Sequence, residues 1–185
     1  PGLVGSEMCI RDRYDIENAF SKENTIAYLY KRASTMGGSL KTKENKSPTF
    51  LVWAMADAQG TNLQRVQIIK GWLDNGESKE KVFDATCSDG LEVDKSSHRC
   101  PDNGAKVNLN DCSITKNKGS RELKTLWKDP EFIEDQEAFY YVRVLENPVC
   151  RWSTWDAIRS NQLPRSDIKS TIQERAWSSP IWITN

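Results

Sequence analysis

Ala138-Phe139-Tyr140-Tyr141-Val142-Arg143-Val144-Leu145-Glu146 is the stretch that decides the fold. Aromatic and β-branched residues dominate it, and such side chains pack well on a pleated, half-buried surface, so it reads as the strongest strand of the chain. Working outward, Phe50–Met55 is a short apolar run after Pro48 and reads as a buried strand. Leu63–Leu73 is another, with Val66, Ile68 and Lys70 on one face and Gln67 and Ile69 on the other. Asp74-Asn75-Gly76 is a hairpin signal, because Asn-Gly tolerates the positive φ of a tight turn, and Lys81–Cys87 is the returning strand. The four segments predict one central antiparallel sheet.

Helical signals are few. Ser21 is placed to cap a helix over Lys22–Ala33, which Met36-Gly37-Gly38 ends. Ser120 starts a short helix through Trp127, which Asp129-Pro130 ends, and Ser153-x-x-Asp156 is a capping box for a helix to Arg159. Thr171–Asn185 is rich in Trp and Ile, is interrupted by Pro180, and reads as a closing edge strand. Ser88–Lys118 has the composition of a long excursion with a short strand at Val107–Leu109 at most; a loop of that length in a compact domain calls for a covalent tie. The predicted fold is mainly β: an antiparallel sheet or sandwich-like domain with a few short helices and one long loop excursion.

Composition sets the outer bounds. Lys+Arg and Asp+Glu are 26 each, so the chain lacks the basic excess of a nucleic-acid or polybasic membrane binder. No apolar run approaches a membrane span. Leu, Ile, Val and Phe make up 38 of 185 residues, at the margin between globular and disordered chains; seven Trp and five Tyr tip the balance to globular.

Leu3-Val4-Gly5-Ser6-Glu7-Met8-Cys9-Ile10-Arg11-Asp12-Arg13 has no period of a helix or strand and resembles the translated transposase adapter of sequencing libraries. Residues 1–13 are therefore read as a non-native tail with no packing against the core, and residues 14–185 as a single β-rich domain.

With Cys9 set aside, Cys87, Cys100, Cys112 and Cys150 remain. An even count, three of them in a loop-rich stretch that buries little apolar area, favours two disulfides, with all three connectivities open. Two other readings stand beside it: buried free thiols, and a zinc site in which His98 joins Cys87, Cys100 and Cys112, although no close Cys-x-x-Cys pair is present. His98 is the one histidine, no Gly-x-Ser-x-Gly elbow or phosphate loop occurs, and Glu131, Glu134, Asp135 and Glu137 lack a calcium-loop pattern. The sequence thus offers no catalytic, cofactor-binding or metal-ligating residue. Its candidates for a ligand or interface are the polar–aromatic groups Arg151-Trp152 and Glu174-Arg175-Ala176-Trp177. Arg stacks on Trp and forks to carboxylates, so such groups line ligand grooves or cement a sheet to its neighbouring layer.

Three long words carry a resemblance: Asn62-Leu63-Gln64-Arg65-Val66-Gln67-Ile68-Ile69-Lys70-Gly71-Trp72, the strand Ala138–Glu146, and Gln173-Glu174-Arg175-Ala176-Trp177-Ser178-Ser179-Pro180-Ile181-Trp182. With Met36-Gly37-Gly38 and Arg151-Trp152-Ser153-Thr154-Trp155-Asp156-Ala157 they resemble, in order, the C-terminal part of the bacterial domain-of-unknown-function family DUF3604. Cys150 departs from that likeness, since other members often lack it. The resemblance implies a much longer parent whose N-terminal part is similar to metal-dependent phosphoesterases of the polymerase-and-histidinol-phosphatase type. A Gly-Asp-Leu-His-x-His-like motif opens that part, and no position in this chain matches it. The chain is thereby expected to be a C-terminal accessory domain with no cofactor of its own. Any divalent metal would lie in the missing N-terminal catalytic domain, which is its expected partner. An exported or periplasmic bacterial setting and a natural C-terminus are implied likewise. The rival expectation is an independent ligand-binding β module using an Arg/Trp-lined groove. A domain cut from a larger protein also leaves an apolar face bare, expected around Ile26–Tyr30.

Overall fold

The computed structural model describes residues 8–13, 18–21, 27–28, 33–42 and 46–185. Most of the helix expected over Lys22–Ala33, and the apolar patch expected around Ile26–Tyr30, lie outside the described residues; Ala27 and Tyr28 are helical. Ten strands are present among the described residues: β1 Met8–Arg13, β2 Ser34–Thr35, β3 Ser39–Lys41, β4 Thr49–Met55, β5 Leu63–Asp74, β6 Glu77–Cys87, β7 Glu122–Lys128, β8 Ala138–Cys150, β9 Thr171–Trp177 and β10 Ile181–Thr184. A single α-helix of more than one turn, α1, spans Trp152–Arg159 among those residues.

The strands form two sheets rather than one. The larger runs β3-β10-β8-β5-β6, with β9 also paired to β8; the smaller runs β2-β1-β4-β7. The protein is mainly β and sandwich-like. Phe50, Val52 and Ala54 of β4 and Leu123 of β7 face Val66 and Ile68 of β5, Tyr140, Val142 and Val144 of β8, and Ile181 and Ile183 of β10. Each sheet thus buries one pleat face, as two packed sheets must.

Several expectations are corrected. Phe50–Met55 is not in the central sheet with the other three strands; β4 belongs to the facing layer, and its alternate residues supply the opposite wall of the core. Ser120–Trp127 is not a helix. Leu123 and Trp127 are four apart, a spacing that fits either period, and the free edge of β4 decides the matter by pairing with β7 from Thr49↔Lys128 to Met55↔Glu122. Thr171–Asn185 is two strands, broken at Ser178-Ser179-Pro180. The second of them, β10, is internal, between β8 and a parallel β3, so pairing is not wholly antiparallel. Helix α1 has Arg151 as its N-cap with no side-chain cap bond, not a Ser153 capping box. Its start is tied instead by the Arg151 amide and the Thr154 hydroxyl, both donating to the Ser170 carbonyl at 2.9 and 2.8 Å. Within Val107–Leu109 only a single bridge forms, Val107↔Ile114.

The segment read as an unattached tail also pairs: the backbone of Met8–Arg13 runs antiparallel to β4, from Met8↔Ala54 to Arg13↔Thr49. An open strand edge presents unpaired N–H and C=O groups that any extended chain can satisfy, whatever its side chains.

The hairpin at Asn75-Gly76 is as expected, with both residues at positive φ (52° and 82°) and Asp74 opposite Glu77. Gly71 has a different reason. It lies in the interior of β5 with the Phe139 ring directly over its Cα, so that a side chain there would collide with the ring. We expect Gly71→Val to cost about 1–3 kcal/mol by overpacking. The near-ultraviolet circular dichroism of the Phe139–Trp182 contact (centroids 5.2 Å apart) should change with it, and an unaltered spectrum would contradict this packing.

Candidate functional site

The registers of the larger sheet place residues side by side on its outer face. One row is Ser39, Trp182, Phe139, Gly71 and Glu80; another is Trp177, Arg143, Gln67 and Asp84; a third is Arg175, Leu145, Arg65 and Cys87. The face is therefore aromatic at one end and arginine-rich at the other. Trp177 and Trp182 are 57% and 47% exposed on it. Phe139 stacks on Tyr141 with ring planes 14° apart.

At the arginine end the sheet carries a groove of about 370 Å³. Arg151 at the start of α1, Lys169 in the connection to β9, and Arg175 on β9 line it, with Asp102 as its one carboxylate. The floor is a chain of amides: Gln173 Nε2 donates to Gln64 Oε1 at 2.8 Å and to the Glu146 carbonyl at 3.0 Å, and Gln64 Nε2 donates to Asn103 Oδ1 at 3.1 Å. The Nε–H of Arg151 is buried with no acceptor.

The long excursion contributes Asp102 and Ala105 as a wall of the groove, and two disulfides hold it. Cys87 pairs with Cys100 and Cys112 with Cys150, which brackets the wall segment from residue 101 to 111 at both ends. Between the bridges Asn103, 4% exposed, donates to Asn147 Oδ1 at 2.9 Å and to Ser88 Oγ at 3.2 Å. Asp84, also buried, accepts the Cys100 amide at 2.7 Å and Gln67 Nε2 at 2.6 Å. With their sulfurs paired, Cys87, Cys100 and Cys112 leave no thiolate to join His98 on zinc, so that reading is set aside. His98 instead lies edge-on to Phe83 and 3.7 Å from a Glu131 carboxylate oxygen.

Of the sequence candidates, Arg151 and Arg175 come together in the groove. Trp152 does not: it is 74% exposed on α1. Trp177 lies on the outer face beside Arg143. Glu174 does not line the groove; its charge adds to the rise in the pKa of Glu146. Sequence reading missed Lys169, Gln64, Gln173 and Asp102. The two glutamines meet only through the β5-β8-β9 registers, for which the sequence carries no signal.

Comparison with protein families decides the relationship. The family model described as Protein of unknown function (DUF3604) matches residues 12–185. The chain belongs to this family. No curated protein and no solved structure matches it. The DUF3604 match takes in the larger sheet, the smaller sheet apart from Met8–Arg11 of β1, the disulfides and every residue of the groove. Among the described residues no helix is long and apolar enough to cross a membrane.

One buried carboxylate lies on the core side of the same strands. Glu146 is 3% exposed, and its Oε1 has no hydrogen-bond partner. Burial raises its pKa above the ordinary 4.5; the Thr61 amide opposes the rise, while the charges of Glu174 and Asp57 add to it. The folded state therefore holds this proton more tightly than the unfolded chain does. The resulting stability is complete below the ordinary glutamate pKa and is lost as pH rises through the folded value. Glu146→Gln should accordingly raise the melting temperature at neutral pH and leave it unchanged at pH 4. Equal shifts at both pH values would show that charge is not the cause.

Proposed function

We propose that this chain is a C-terminal accessory β domain of a larger, metal-dependent hydrolase-like bacterial protein, whose catalytic part precedes it. The observation that carries the reading is the outer face of the larger sheet. There Trp177 and Trp182 remain about half exposed beside Phe139 and Tyr141, the kind of aromatic surface that marks a contact with another body. Membership of the family supports the same reading, given the resemblance of its longer members to phosphoesterases. Two disulfides suit an exported or periplasmic setting. Residues 1–11 lie outside the family match, which supports an adapter origin for that segment.

In this reading the domain shields or positions the catalytic part and carries out no chemistry itself. Extending the genomic sequence upstream tests it directly. An in-frame His-x-His motif is the expected result; a natural start codon near Tyr14 would overturn it. The isolated chain should not turn over a generic phosphodiester, and turnover would equally overturn the accessory role.

A further inference from the structure

We propose that the groove between α1, β9 and the disulfide-held loop is a binding site for a doubly charged oxyanion, a phosphate or sulfate group. The site stands independently of whether another domain docks on the aromatic end of the sheet.

Charge is the first argument. Arg151, Lys169 and Arg175 face one carboxylate, Asp102, which leaves two positive charges without a counterion in the groove. No ion pair within the described residues engages any of the three cations; Arg65, Arg99 and Arg165, by contrast, each lie within 4.0 Å of a carboxylate. Asp102 is itself occupied, accepting the Gly104 amide at 3.0 Å. Like charges gathered in a concave site repel one another, and an anion of charge minus two offsets that repulsion where a singly charged one leaves half of it.

Donor geometry is the second. A guanidinium offers a planar fork that matches the spacing of phosphate or sulfate oxygens, and two of them, Arg151 and Arg175, line this one groove. Arg151 is held partly dry, since its Nε–H is buried and has no acceptor, so solvent screens its field less than that of an ordinary surface arginine. Pre-organisation is the third. The amide chain Gln173–Gln64–Asn103 fixes the floor, the Arg151 amide is tied to Ser170, and the Cys112–Cys150 bridge ends one residue before Arg151. Little ordering is left for binding to impose, which favours affinity.

The test is an NMR titration of the full chain, following the arginine Nε–H resonances at pH 7.5 with inorganic phosphate, sulfate, glycerol phosphate and acetate. The expected result is saturable, joint movement of the Arg151 and Arg175 signals with phosphate and with sulfate, and weaker binding of acetate. Arg175→Gln and Lys169→Gln alter exposed side chains and leave the fold intact; each should weaken phosphate by about tenfold, as loss of one charge-assisted pair does. Tighter glycerol phosphate than inorganic phosphate would mark the group as one carried on a larger ligand; equal affinity would mark the free ion. Absence of saturation by about 50 mM, affinity unchanged in both variants, or acetate binding as tightly as phosphate would each overturn the proposal.

Discussion

Asp129→Ala is expected to destabilise the protein by about 3–5 kcal/mol, the usual cost of leaving one partner of a buried ion pair alone. Asp129 and Lys70 have side chains no more than 4% exposed, and they meet at 2.7 Å. The ammonium group also donates to the Glu131 carbonyl at 3.0 Å, and it lies 5.4 Å from the Trp72 ring and 5.9 Å from that of Tyr140. The carboxylate is fully used: Oδ2 also accepts the Tyr140 hydroxyl at 2.8 Å, and Oδ1 accepts the Glu131 amide at 2.8 Å. Removing it strands an ammonium among aromatic rings and leaves a tyrosine hydroxyl without its acceptor. Lys70→Met removes the charge and keeps the stem, so the double variant Lys70→Met/Asp129→Ala should recover much of the loss. The four proteins of that cycle, compared by urea denaturation, isolate the coupling. A loss below about 1 kcal/mol for Asp129→Ala would mean that water reaches the pair, as it does for exposed ion pairs.

The same pair illustrates what a sequence carries. The alternation along Leu63–Leu73 placed Lys70 on the face of Val66 and Ile68, and the structure puts it there, inside the core, although its charge argues for the surface. Its partner was hidden, because Asp129-Pro130 reads locally as a helix stop, and only the packing of one sheet on the other brings residues 59 apart together. Local signals held wherever one interaction dominated: Asn75-Gly76 needs positive φ, and Ala138–Glu146 has no good alternative to a strand. They failed where an open edge chose the partner. β7 and β1 both exist because β4 has two edges to satisfy, a property of the assembled sheet and not of either segment. The site obeys the same rule. Arg151 and Arg175 stood out beside tryptophans, yet those tryptophans point elsewhere, and Lys169 joins the arginines from a connection with no pattern of its own.

Replacing Cys112 and Cys150 together with Ser should lower stability by about 4 kcal/mol, and the same change at Cys87 and Cys100 by about 3 kcal/mol, from the loop-closure entropy of the unfolded chain. The difference reflects the lengths of chain enclosed, sequence separations of 38 and 13. The two loops succeed one another without nesting, so the losses should add in the quadruple variant. Thiol titration under denaturing conditions, with Cys9 removed, should find no free thiol; four would overturn the pairing. The functional consequence is more specific than the loss of stability. The segment between the bridges forms the groove wall with Asp102, and the bonds that otherwise anchor it are polar: those of Asn103 to Gln64, Ser88, Asp89 and Asn147, and the Asp84 bond to the adjoining Cys100 amide. Each such bond contributes about 1 kcal/mol net, less than either bridge. Losing the Cys112–Cys150 bridge should therefore free the wall before the sheets melt. The expected signature is early amide exchange confined to residues 101–111, at a temperature where Val66, Val142 and Val144 in the core remain protected. Simultaneous exchange of loop and core would show instead that the excursion is held by the sheet alone and that the bridges serve only global stability.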